Sequence, residues 1–577
     1  MNTVVVAPLL VALVTAVATL LSRTHGTIQR AISLLGGIAY LAAVAALVEA
    51  AILPLGSAGT TLVYTVSNWR APFGIVLVAD PLSALLLALS AVVSLGALAY
   101  SVVYVDSFGQ RLSYHSLYHF MLVGVTGSFL TGDVFNLFVW FEVMLMASYV
   151  LVVFHGGAEQ TRAALNYVVL NLVGSAVMLL AIGGLYATTG TLNMADIARR
   201  LAAPETYGVN PVPVLGLAAI LFAVFALKAG VVPFHFWVPA AYRAAPAPVT
   251  AMLAGVVKKV GVYAMIRLYF TVFAAATLPV DAPLIGGDSM LAFFGPVLFA
   301  MATASIVFGG VGAVCGTDLE EILAFSSISQ VGFITLPLAV AATVDSAAVK
   351  AIGIAAALVY AVNHGLAKSL LFLAAGTIQD AVGTTDVARL GGIARRSPVL
   401  AAGFLLGALT LIGVPPLSGF FGKFLVFRTA AEAWALGATG AGVALAIALV
   451  GAVLTIAYYT RAWNAVFWGE PSDLVRTFIP RRGEYAPPDE TDEGRDHEAA
   501  TDGGQPTTEA RVRRRVALVV EVGVVVALAL ATVGFGIGFE ALYSAALAAA
   551  EAALDTQRYV DAVLGSTALL AVVGVRR

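Results

Sequence analysis

Phe225-Ala-Leu-Lys228-Ala-Gly230-Val-Val-Pro233-Phe-His235-Phe-Trp237 is apolar enough to lie in a bilayer, yet it carries a lysine, and a proline follows five residues later. A charge at membrane depth costs about 2.5–3.5 kcal/mol even on the lenient insertion scale, so it rarely persists without use. Proline removes a backbone donor and breaks the helical ladder, which lipid tolerates only where neighbouring protein or water takes up the freed groups. The stretch therefore predicts a membrane helix broken at Pro233 beside an ionisable group, an arrangement suited to proton or ion passage. A second stretch, Gly413-Val-Pro415-Pro416-Leu-Ser-Gly419-Phe-Phe-Gly-Lys423, has the same ingredients: a break at Pro415-Pro416 and a lysine of its own.

The rest of the chain agrees with a membrane reading. Of its 577 residues, 60% are hydrophobic and only 11% charged, against roughly 25% charged in a soluble domain. Apolar runs of about 20 residues recur throughout, the signature of transmembrane helices rather than of an outer-membrane barrel. The net charge of −2 gives no sign of a nucleic-acid partner. The single cysteine, Cys315, leaves no internal disulfide and no cysteine-held iron–sulfur cluster. No zinc spacing, phosphate loop or dinucleotide fingerprint occurs, so no metal or cofactor is expected.

The runs predict an all-α integral membrane protein of about fourteen spans, near 3–22, 31–52, 77–104, 115–131, 134–154, 163–187, 212–236, 248–272, 291–313, 321–341, 351–375, 398–427, 437–467 and 516–540. Segment 3–22 has no small-residue cleavage site and reads as the first helix. Asp80 and Asp133 read as N-caps of the third and fifth spans. Arg461 reads as an interface residue whose head reaches toward water. Arginines concentrate in loops on one side, which by the positive-inside rule places both termini outside. Spans four to eight (115–272) and nine to thirteen (291–468) form two groups of five. An odd-numbered repeat must invert, and the breaks at Pro233 and Pro415 fall in the fourth span of each group. Before them lie helices one to three (1–114). After them come an acidic, Pro- and Gly-rich loop (469–514), expected to be disordered and cytoplasmic, and a last helix with its tail (515–577), of which 541–577 is not read as a span.

Several charges sit within these spans. Glu142 lies mid-span with apolar neighbours for a turn either way, too deep to reach the interface. Burial favours a neutral lysine and a nearby carboxylate a charged one, so a pair such as Glu142 and Lys228 could switch the lysine when the carboxylate moves. Lys258 and Lys259 are adjacent near the centre of span eight. About 100° apart on a helix, they need not face one cavity; Lys259 reads as functional and Lys258 as auxiliary. His364 and Lys368 are four residues apart and share a face, which suits a proton relay. Lys423 follows the second break. His235, beyond Pro233, reads more simply as a hydrogen-bonded interface residue.

Taken together, these motifs resemble one family. Glu142 in its Phe-rich helix, Lys228 with Pro233-Phe-His-Phe-Trp-Val-Pro239, and Ala245-Pro246-Ala-Pro248-Val-Thr250 followed by Lys259-Val-Gly261-Val-Tyr263 are similar to its first blocks. Ile322-Leu-Ala-Phe325-Ser326-Ser327-Ile-Ser-Gln330-Val-Gly332, His364 with Lys368, and Gly413 to Lys423 continue the likeness over about residues 75–470. This is the antiporter-like subunit family shared by Mrp-type sodium/proton antiporters, the membrane arm of complex I (NADH-quinone oxidoreductase) and membrane hydrogenases. Asn68-Trp-Arg-Ala-Pro-Phe-Gly-Ile-Val-Leu-Val-Ala-Asp80 most resembles its Mrp D-subunit branch.

The resemblance implies a proton-translocating, non-redox subunit of a hetero-oligomeric Na+/H+ antiporter in the cell membrane, with protons, Na+, lipid and other subunits as partners. It implies Glu142–Lys228 as the coupling pair, Lys259 with His364 and Lys368 as the central relay, and Lys423 as the terminal site; counted along its span, Lys423 lies about twenty-five residues from the inner end and is expected close to the outer surface. Lys258, His235, Gln330, Ser326 and Ser327 are auxiliary. Three positions depart from the family pattern: Ala240 in place of a frequent aspartate, Gln330 in place of a frequent histidine, and Glu320-Glu321 in place of a basic pair. The alternatives are a proton-pumping subunit of a complex I-like enzyme or hydrogenase and, in a different class, a stand-alone solute carrier.

Overall fold

The computed structural model describes residues 2–277, 289–479 and 508–565, the side chains at 107 and 508–515 excepted. Two short strands, β1 (Leu62–Thr65) and β2 (Val76–Ala79), pair antiparallel, and helices supply the other regular elements. The first half comprises α1 (Thr3–Leu21), α2 (Gly26–Ile52), α3 (Pro81–Tyr104), α4 (Tyr114–Leu130), α5 (Val134–Val152), α6 (Ala158–Thr189), α7 (Pro211–Ala229), the short α8 (Trp237–Ala244) and α9 (Ala247–Ala275). The second comprises α10 (Met290–Cys315), α11 (Leu319–Thr343), α12 (Ala347–Val382), α13 (Pro398–Ile412), α14 (Ser418–Ala435) and α15 (Ala441–Val466). Then follow α16 (Thr508–Ile537), α17 (Phe539–Leu554) and α18 (Thr556–Leu564). Among the described residues, 12 helices are long and apolar enough to cross a membrane. The expected count of about fourteen also took in α4, with 17 residues, and the broken pair α13–α14, which fall short of that measure.

Burial ranks the helices. In their most apolar stretches α9 is 100% buried and α11 94%, against 39% for α1 and 33% for α15. The two most buried helices, α9 and α11, are the ones that carry Lys258, Lys259, Ser326, Ser327 and Gln330. That order follows from cost: a charge facing lipid is dearer than one facing protein.

Both breaks are built alike. α7 ends at Ala229, where Gly230 adopts φ 69°, and α13 ends at Ile412, where Gly413 adopts φ 91°. Left-handed backbone is easy only for glycine, so each glycine closes its helix. Span seven therefore stops before Pro233 rather than at 236, and the run 398–427 is two helices rather than one. The groups freed at the first break find partners: Val232 N donates to Ser305 Oγ at 2.9 Å, and Leu227 O accepts from Trp237 Nε1 at 2.9 Å.

Asp80 and Asp133 cap their helices as expected, accepting from Ser83 N at 3.0 Å and Asn136 N at 2.8 Å. Asp80 also does something else. Its Oδ2 pairs with Arg267 Nη2 of α9 at 2.6 Å, both side chains being 1% exposed. Arg461 does not simply reach for water: its Nη1 donates to Val314 O and Gly316 O, each at 2.6 Å, and so complements the carbonyl end of α10.

The tail, not read as a span, forms the two helices α17 and α18 as far as Leu564; 566–577 lie outside the described residues. α17 starts at the second break, where Phe539 stacks on Phe421 with centroids 4.1 Å apart. It ends beside α9, where Thr271 Oγ1 donates to Ala553 O at 2.8 Å. Its buried face is alanine, so it lies close to its neighbours. Two parts of the loop expected to be disordered are helical, Asp473–Phe478 and the stretch from Thr508 that begins α16, and 480–507 lie outside the described residues.

Candidate functional site

α9 is not a uniform α-helix. A π turn over Leu253–Val257 immediately precedes Lys258 and Lys259; such one-turn widenings are frequent at functional sites. Lys259 Nζ donates to Ala254 O within that turn at 2.5 Å and lies 2.7 Å from His364 Nδ1 of α12. Lys258 turns to α11 instead, donating to Ser327 O at 3.2 Å with its ammonium 5.9 Å from the Tyr242 ring centroid. The two lysines serve different neighbours, as their angular separation requires. Ser327 thus acts through its carbonyl, and its Oγ has no partner among the described residues.

One turn beyond His364, Lys368 Nζ donates to Leu323 O at 2.9 Å, to Tyr459 OH at 3.2 Å and to Ser326 Oγ. Tyr459 OH lies 3.1 Å from Ser326 Oγ, and Tyr458 lies beside the same serine. Gln330 continues the chain. Its Nε2 donates to Tyr458 OH at 2.8 Å and Thr455 Oγ1 at 3.1 Å, and its Oε1 accepts from Tyr360 OH. Tyr360 stacks on Phe333, and Lys423 Nζ sits 5.1 Å above that Phe333 ring. Lys423 Nζ also donates to Ile412 O, the last carbonyl of α13, at 3.1 Å.

That contact fixes the depth of Lys423. α14 runs on from Lys423 to Ala435, about 18 Å of helix at 1.5 Å per residue. Lys423 therefore lies well inside the bundle, not close to the outer surface. The break turns the chain back, so residues counted along the sequence overstate the depth travelled.

At the other end of the row the expected coupling pair is not in contact. Lys228 Nζ donates to Asn171 Oδ1 of α6 at 3.1 Å and lies 5.8 Å from the Phe141 ring centroid. No ion pair within 4.0 Å joins it to Glu142 among the described residues, although the carboxylate is near enough for its charge to act on the lysine. Glu142 Oε1 is buried with no hydrogen-bond partner among the described residues. His235, read as an interface residue, is only 5% exposed, packed 4.7 Å from the Phe308 ring, and its Nδ1 has no partner among the described residues.

Over residues 131–455 the chain matches the family described as NADH:quinone oxidoreductase/Mrp antiporter, transmembrane. The chain belongs to this family. Among its relatives, the Na(+)/H(+) antiporter D-subunit of Alkalihalophilus pseudofirmus is 36% identical over 82% of this chain and 88% of its own length. The NADH-quinone oxidoreductase N-subunit of Desulforudis audaxviator is 37% identical over 72% and 78% respectively. A chain in the structure of the Mrp complex from Dietzia sp. DQ12-45-1b superposes with a TM-score of 0.79 at 28% identity, covering 98% of this chain and 100% of that one.

Within this member of the NADH:quinone oxidoreductase/Mrp antiporter family, sequence reasoning missed several polar residues beside the row. Asn171, Tyr360, Thr455, Tyr458 and Tyr459 are neutral and so gave no charge to notice, though each is at most 1% exposed. Glu521 did give one. It stands in the apolar stretch Val516–Ile537, is 1% exposed, and lies beside Tyr100 and Thr377.

Proposed function

We propose that this chain is the proton-translocating subunit of a multisubunit monovalent-cation/proton antiporter of the cell membrane, with both termini outside and no redox centre of its own. The observation that carries the reading is the 2.7 Å contact between Lys259 Nζ and His364 Nδ1 in the innermost helices. An amine and an imidazole at that distance pass a proton directly, one gaining it at nitrogen as the other loses it. The proposed row runs from Glu142 and Lys228 through Lys258, Lys259 and His364 to Lys368, and on by Ser326, Tyr458, Gln330 and Tyr360 to Lys423. In this reading the two five-helix groups, 115–272 and 291–468, are inverted copies; their alike breaks support it. Sodium as the exchanged cation, and further subunits as partners, rest on the antiporter relatives.

Lys259→Ala in the assembled complex tests the reading. Antiport in everted membrane vesicles is expected to vanish while the complex still assembles, because the substitution removes a buried charge rather than a packing group. Antiport at the wild-type rate would remove Lys259 from the path. A second reading, a subunit of a complex I-like enzyme, is favoured by the 37% identical N-subunit relative. Subunits that co-purify with the native chain separate the two: small antiporter subunits support the first, quinone- and cluster-binding ones the second.

A further inference from the structure

Away from the lysine row, α1, α2, α3 and α4 pack around a cluster of buried polar side chains at the end of the bundle that bears Arg30. Ser33 of α2 is held between two histidines of α4: its Oγ lies 3.1 Å from His115 Nδ1 and 3.0 Å from His119 Nε2. Gln29, Ser33 and His115 are 0% exposed and His119 1%. Gln29 Nε2 donates to Thr19 O at 3.0 Å, but Gln29 Oε1, His115 Nε2 and His119 Nδ1 are buried with no hydrogen-bond partner among the described residues. A buried polar atom left unpaired costs about 1–3 kcal/mol, and proteins meet such needs with ordered water. The outer rim is formed by Arg30, whose Nε donates to Gln110 Oε1 at 2.8 Å. Tyr118 closes the side toward α3 by donating to Ser94 O at 2.8 Å.

We propose that Gln29, Ser33, His115 and His119 form a hydrated proton-binding pocket, filled from the arginine-bearing end and separate from the lysine row. In the neutral pocket Ser33 donates its hydroxyl proton to one ring and accepts an N–H from the other. The ring that donates to serine has a bare outer nitrogen, facing pocket water. A hydronium gives its proton to that nitrogen and leaves as water; both serine hydrogen bonds stay as they were. A second proton would put two imidazolium rings on one oxygen, where they repel, so the pocket holds one. The charge that faces it is Arg30. The titratable groups in contact are Tyr114 and Tyr118 of α4, whose rings touch His115 and His119; α3 contributes the Ser94 carbonyl and α1 the Thr19 carbonyl.

Infrared difference spectra of the purified whole complex, taken across a pH step with ring-labelled histidine, test this. The imidazole-to-imidazolium band is expected to lose one component in His119→Gln and to keep it in His364→Gln. Ser33→Ala, which keeps both rings and frees them from each other, is expected to shift the midpoint of that component along pH. An identical band in wild type and His119→Gln overturns the proposal. If His119→Gln fails to assemble, an unmoved midpoint in Ser33→Ala overturns it instead. The component should also persist in Lys259→Ala, so the pocket stands or falls independently of the transport reading.

Discussion

Lys228 shows how much a single neutral partner can change. Asn171 Oδ1 accepts from its Nζ, and Asn171 Nδ2 is itself tied to Tyr167 O at 2.8 Å, so the amide is held with its oxygen toward the lysine. A neutral acceptor lets the lysine lose its proton without leaving an anion buried opposite; a carboxylate there would hold the charge in place. Asn171→Asp is therefore expected to slow antiport by pinning Lys228 in its charged form. Asn171→Leu removes a charge-assisted hydrogen bond worth about 1.5–3 kcal/mol, enough for roughly a tenfold change or more. Antiport rates in everted vesicles, normalised to assembled complex, check both. Wild-type rates in the two variants would show that Asn171 is packing alone.

At the scale of elements, the two irregular features do different jobs. The π turn of α9 presents the Ala254 carbonyl to Lys259, while Lys258 and Lys259, about 100° apart on the helix that follows, turn to α11 and α12. α17 carries no charge into the row; its alanine face fills the space between α3 and α12. Ala549 is 0% exposed there, whereas Ala541 on the same helix faces outward. Forcing extra methylenes into a packed interior costs about 1–3 kcal/mol. Ala549→Leu should lower the thermal midpoint of the purified complex, and Ala541→Leu should leave it unchanged. Equal midpoints for the two would mean that α17 is not packed as a core element.

At the scale of the whole molecule, Cys315 reports orientation. It is the chain's only cysteine, exposed at the end of α10. The neighbouring loops carry Arg243, Arg389, Arg395 and Arg396, so the positive-inside rule predicts a cytoplasmic position for it. A membrane-impermeant thiol reagent is expected to label this chain in everted vesicles and to spare it in right-side-out ones. The reverse pattern would invert the topology, and with it the direction assigned to the row.

The membrane class, both helix breaks, the two caps and the lysines of the row were legible in the chain itself. Each rests on a local property: the hydropathy of about twenty consecutive residues, the missing donor of a proline, a carboxylate at a helix start, the cost of a charge amid apolar neighbours. Tertiary structure alone decided which groups meet. Asn171 rather than Glu142 takes Lys228, at a sequence separation of 57, and His364 reaches Lys259 across 105 residues. It also decided that Lys423 lies deep, that α17 is core, and that tyrosine hydroxyls flank Gln330. Neutral hydroxyls and amides leave no mark in hydropathy or charge. Their partners are chosen by how helices far apart in sequence rotate and close-pack against one another, a choice made only once the bundle is assembled.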